Sequence, residues 1–182
     1  MKTQVFIWKR MMPVIISAFM FVACNSTSKK GNIMDSEKGT YGYDVAFLKK
    51  HSIEAIELKD AGSNAGILVA PGLQGRVMTS TANVNGGSSY GWINYKFIES
   101  GKANSQFNPY GGEERFWIGP EGGAFSIYFK KGDEQIFSNW KVPKEIDTEA
   151  FDIMEQKEEM VRFKKDFLLN NASGTIMNIG IE

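Results

Sequence analysis

Apolar positions recur along this chain with two different spacings. In Tyr41 to His51 (YGYDVAFLKKH), Val45, Phe47 and Leu48 share one side at near-helical spacing, which predicts a short helix. Ile53 to Leu58 (IEAIEL) reads as a strand. Gly66 to Ala70 (GILVA) reads as another, stopped by Pro71-Gly72, and Gly75 to Thr79 (GRVMT) as a third. Gly62-Ser63-Asn64 is a turn, and 83–89 is a Gly/Asn/Ser-rich loop. In Trp92 to Ser100, Ile93 and Phe97 stand four apart before Gly101, which predicts a second short helix.

From there the period falls to two. In 113–118, Glu114, Phe116 and Ile118 would share one face of a strand, and Glu113, Arg115 and Trp117 the other. In 125–130, Phe125, Ile127 and Phe129 oppose Ser126, Tyr128 and Lys130. Such a pair describes a sheet packed on one side, with the other side free to meet a ligand. Phe151 to Met154, Met160 to Leu168 and Thr175 to Ile181 complete the strands. The fold class expected is mainly β and antiparallel, with one or two short helices near its N-terminal side. The strand pattern is still running at Ile179-Gly180-Ile181-Glu182, so 40–182 is expected to be the N-terminal part of a longer β domain.

The first residues follow a different rule. Lys2, Lys9 and Arg10 precede an apolar run from Met11 to Ala23, broken by Pro13 and Ser17. A bilayer needs about 20 such residues, and this run suits the core of a secretory signal instead. It ends at Phe21-Val22-Ala23-Cys24, which resembles a bacterial lipobox. That resemblance implies a signal peptide over 1–23, cleavage before Cys24, and a triacylated Cys24 (palmitate included) as the membrane anchor. Residues 24–39 are polar and read as a flexible tether. Asn25 is not an aspartate retention signal. The expected address is therefore the outer membrane, on its periplasmic face.

Charge and composition narrow the chemistry. Lys+Arg and Asp+Glu both number 21, so no basic stripe exists for a phosphate backbone and nucleic acid is not an expected partner. One cysteine and one histidine, Cys24 and His51, cannot make a Cys/His zinc site, and no metal or cofactor is expected. Gly86-Gly87 lacks the strand–helix context of a phosphate loop. His51 could serve as a general acid, but the end of a helix also welcomes an exposed histidine. Asn171-Ala172-Ser173 matches a glycosylation sequon and, in this setting, reads as a turn.

The stretch Asn108-Pro109-Tyr110-Gly111-Gly112-Glu113-Glu114-Arg115-Phe116-Trp117-Ile118-Gly119-Pro120-Glu121-Gly122-Gly123 resembles the signature of a group of uncharacterised Gram-negative envelope lipoproteins. That group is similar in turn to the galactose-mutarotase-like superfamily, and Gln74-Gly75-Arg76-Val77-Met78 resembles its earlier strand. The resemblance implies an antiparallel β-supersandwich with a carbohydrate-sized cleft. It implies carbohydrate as partner, and Arg115, Trp117, Glu121, Arg76 and Asn108 as substrate-binding residues. Arg and Glu would hydrogen-bond hydroxyls, and the indole would pack on a sugar ring. Each has a plainer role open to it: Arg115 could brace a turn through Glu113 or Glu121, and Trp117 could be a core aromatic. Mutarotases use a histidine acid and a glutamate base. No histidine here matches in position, so such a pair lies beyond residue 182 or is absent, and the chain's being an enzyme stays open. The alternative is a structural or assembly lipoprotein without sugar chemistry.

Overall fold

A computed structural model describes residues 36–182. The signal segment, Cys24 and nearly all of the tether lie outside the described residues. Helix α1 (Tyr41–Lys50) begins where Thr40 accepts a hydrogen bond from the Tyr43 amide. Asp44 stands in its first turn and Lys49 and Lys50 in its last, each sign matching the helix dipole. Strands β1 (Ile56–Lys59), β2 (Gly66–Ala70) and β3 (Arg76–Thr81) form an antiparallel sheet in chain order, with a register shift between Leu68 and Val69. Phe47 and Leu48 of α1 pack against Leu68, Ala70 and Met78 of this sheet to make the first core.

The helix expected over Trp92 to Ser100 divides in two. Trp92–Ile93 is a short strand, β4, and Tyr95–Ser100 is helix α2. Asn94 separates them: its side chain accepts from the Phe97 amide at 3.2 Å and so caps α2. Gly101 closes α2 in the left-handed conformation, at φ 60°. β4 pairs antiparallel with β5 (Gly111–Gly112). The strand expected from Ile53 begins only at Ile56.

The larger correction falls on 113–118 and 125–130. Neither segment joins a ladder. The Glu113 amide bonds Val77 O at 2.9 Å, and there the pairing stops. Among the described residues, the amides of 114–118 have no backbone acceptor. Gly111 and Gly112 sit at φ 94° and 116°, a region an L side chain rarely enters. A Cβ on Gly112 would lie 2.9 Å from Val77 O. The chain thus crosses β3 closely and leaves it. Burial from 126 to 129 is continuous and does not alternate, so these residues have no solvent face.

The tail strands form as expected: β6 (Asp152–Gln156), β7 (Val161–Asn170) and β8 (Ile176–Ile181) make an antiparallel meander. Phe167 and Leu169 of β7 join Ile127, Tyr128, Phe129, Val142 and Ile146 in a second core. The described fold is mainly β, with antiparallel sheets and two short helices.

Candidate functional site

Arg115 leaves the coil segment and turns inward. Its Nη2 donates to Ile146 O at 2.8 Å and lies 3.4 Å from Asp147 Oδ1. The Arg115 side chain keeps 18% of its surface exposed and Asp147 only 4%. Asp147 carries more than one partner. It accepts from the Asn108 amide at 3.1 Å and from Asn108 Nδ2 at 2.6 Å. Asn108 Nδ2 also donates to Asn104 O, and Asn108 Oδ1 accepts from the Asn104 amide. A buried carboxylate held by this many donors ties 104–108, 115 and 146–147 together.

The guanidinium also lies over two rings, 4.9 Å from the Phe107 centroid and 4.5 Å from that of Trp117. Trp117 in turn stacks on Tyr128 at 5.1 Å, and Tyr128 stacks on Trp140 at 5.5 Å. The Trp117 indole N–H donates to Glu121 at 2.9 Å. Tyr128 OH donates to Ile118 O, and burial first, then the Glu121 charge, pushes its phenol up to about 12. Burial lowers the Arg115 guanidinium, while Asp147 pulls it back up.

Arg76 lies deeper, with only 2% of its surface exposed. It donates to Gly111 O at 2.8 Å and to Gln74 Oε1 at 3.0 Å. Burial and then the positive charge of Arg115 push it down to about 10, still cationic at neutral pH.

Beside this network opens a cleft of about 670 Å3. Gln74, Arg115, Trp117 and Glu114 line one side, and Arg162 and Phe163 of β7 line another. Gly75 lets the Phe163 ring close on the backbone, because a Cβ there would meet it at 2.7 Å. The cleft joins aromatic faces to charged and amide groups, the mixture that fixes a hydroxylated ligand.

Two of the five expected binding residues, Arg115 and Trp117, line the cleft. Glu121 does not; it is exposed and holds the Trp117 indole. Arg76 and Asn108 must be corrected. Both are buried and hydrogen-bonded to the protein, so they support the wall from behind. Asp147, not Glu113 or Glu121, is the partner of Arg115. Glu113 instead bonds the Ser80 amide and hydroxyl. Gln74, Glu114, Arg162 and Phe163 were not anticipated at the cleft, although Gln74 and Glu114 stand inside the quoted motifs. His51 caps α1 against the Phe47 ring and does not line the cleft. Among the described residues, no group of three His, Cys, Asp or Glu side chains could hold a metal, and no helix is long and apolar enough to cross a membrane.

The chain belongs to a family of unknown function, DUF6786, which matches residues 39–182. Neither the curated proteins nor the solved structures contain a match to it.

Proposed function

We propose that this chain is a membrane-tethered lipoprotein of mutarotase-like β-sandwich fold, and that the cleft beside 114–117 takes a carbohydrate. The observation that carries the reading is the cleft itself. Its volume of about 670 Å3 suits one or two sugar rings, and its lining mixes Trp117 and Phe163 with Gln74, Glu114 and Arg162. Glu114 is exposed and supplies a polar contact to hydroxyls, beside Arg162, whose guanidinium pairs with Glu155 and Glu182; the aromatic residues supply the apolar wall. The lipobox-like Ala23-Cys24 supports an outer-membrane anchor on the periplasmic face. No step of sugar chemistry is assigned, because the cleft contains no histidine.

A glycan array and NMR titration of the full chain test this. Saccharides should shift resonances of Gln74 and 114–117, and Glu114→Gln should weaken binding roughly tenfold, the worth of a charged hydrogen bond, with little loss of stability. No response to any glycan at millimolar concentration would reject the reading.

A structural or assembly role is the second reading, and one observation favours it. Arg115 is committed to Ile146 O and Asp147, and the Trp117 indole N–H to Glu121, so the motif's central side chains are engaged with the protein. Arg115→Ala separates the two readings: lost stability with saccharide binding retained assigns Arg115 to bracing.

A further inference from the structure

A second cavity, of about 710 Å3, lies away from the cleft, between the 127–131 and 138–143 segments and the β7–β8 turn. Lys130, Lys131 and Lys141 line it, and Asp133 is its one carboxylate. The chain as a whole is electrically balanced, so three ammonium groups around one hollow are a local excess. None of the three has a carboxylate within ion-pair range among the described residues, whereas Lys164 and Lys165 of neighbouring β7 are both paired.

Asn171 adds a fixed donor. Only 4% of its surface is exposed, and it too lines the cavity. Its Oδ1 accepts from the Ser173 amide at 3.1 Å, the Ser173 hydroxyl at 2.7 Å and the Thr175 amide at 2.9 Å. Three donors on one oxygen settle which end of the amide is which. What the side chain has left is Nδ2, and among the described residues no protein group accepts from it. The sequon-like Asn171-Ala172-Ser173 is therefore a turn, and it leaves an unclaimed donor on a residue that lines the cavity. Ser138 contributes a hydroxyl, and Ile127 and Val142 an apolar floor.

Three ammonium groups and an amide N–H all ask for the same thing, an acceptor with negative charge. We propose that this cavity is a binding site for a small oxyanion-bearing molecule, a sulfate, phosphate or carboxylate, held by Lys130, Lys131, Lys141 and the Asn171 amide. The site does not depend on the carbohydrate reading of the cleft. Lysine ammoniums act as point charges, so recognition follows charge more than shape, and binding weakens as salt rises.

The test is a titration of the full chain with inorganic phosphate, glucose 6-phosphate and glucuronate, with glucose as the neutral control, followed by 1H–15N NMR. The anions should shift the Asn171 side-chain amide pair and the 130–131 and 141 backbone signals, and glucose should not. The triple variant K130Q/K131Q/K141Q should bind roughly tenfold or more weakly, since it loses charged hydrogen bonds. Asn171→Asp keeps the acceptor that Ser173 and Thr175 use and replaces the free donor with a charged oxygen; it should also lose binding. Phosphate alone binding as well as glucose 6-phosphate would show that the anion is the whole determinant. Wild-type protein unresponsive to all three anions at tens of millimolar, shifts confined to other surfaces, or a folded triple variant binding like wild type would overturn the site.

Discussion

Around β2 and β3, a ladder brings Leu68 and Ala70 together with Met78, the residue at the bulge, and the ladder pairs most of the backbone. Around Tyr128, one wall of the core is the β7 ladder, and the facing wall is coil. There the rings of Trp117, Tyr128 and Trp140 stack in series, and side chains replace the ladder by bonding backbone: Arg115 to Ile146 O, Tyr128 to Ile118 O, Gln106 to Trp140 O. The first region has its own distant partners, Asp44 accepting from Ser89 and Tyr95, but they add to a backbone ladder that is already paired. The second depends on a few partners far apart in sequence, with Asp147 accepting from both 108 and 115. Removing one side chain should therefore cost the second region more, and a ladder should protect the first better against solvent.

The largest effect expected is that of Asp147→Ala. It strips an acceptor from the Asn108 amide, Asn108 Nδ2 and Arg115 at once and leaves a half-buried guanidinium with Ile146 O alone. Breaking a buried pair of this kind costs about 3–5 kcal/mol, readable as a lower urea midpoint. A loss no greater than that of an average surface change would remove the hub from the account.

Alkaline pH should act next, and on both regions. Burial raises the phenols of Tyr41, Tyr95 and Tyr110, and Tyr128 reaches about 12. The unfolded chain ionises these groups near their ordinary value of about 10, while the folded chain still holds their protons. Stability from them is full below that pH and is lost as pH climbs through the folded values. Arg76, lowered to about 10, and Arg115, also lowered by burial, work in the opposite sense but are outnumbered. Melting temperature should fall steadily above pH 10, and Tyr128→Phe should remove one late phenolate absorbance step; a flat profile to pH 12 would contradict the burial of these rings.

The smallest effect belongs to the locally built region. Thr40→Ala removes the α1 cap, whose bond to the Tyr43 amide is long at 3.4 Å. A cost of about 1 kcal/mol or less is expected, again from urea unfolding.

The same contrast decides what could be read from the residues. α1 was legible because its apolar spacing and its terminal charges are all local. β2, β3, β7 and β8 were legible because alternation or a short β-branched run between turn residues has few other uses. The division at Asn94 is also written in the chain, as an Asn placed to cap, whereas the Ile93–Phe97 spacing taken alone predicts one continuous helix. The stretch 113–118 misled for a different reason. Its residues alternate as a strand's would, yet Arg115 bonds a residue 32 positions later and Trp117 stacks on a ring eleven positions on. No local pattern announces such partners. Hydrogen bonds and ring contacts link Asn108, Arg115, Trp117 and Glu121 by way of Asp147, and Arg76 bonds Gln74 at the cleft. Their division into two that line a cleft and three that support it depended on burial, which the sequence does not print.

Amide hydrogen exchange on the full chain reads whether side chains, rather than a ladder, hold the motif segment beside its cleft. The amides of Ile67, Leu68 and Val69, in the central strand of their sheet, should exchange slowly, at rates set by global unfolding, while those of Arg115, Phe116, Trp117 and Ile118 exchange orders of magnitude faster. Equal protection at 115–118 would mean that this segment is paired as a strand after all, and the account of the site would have to be rebuilt around a sheet.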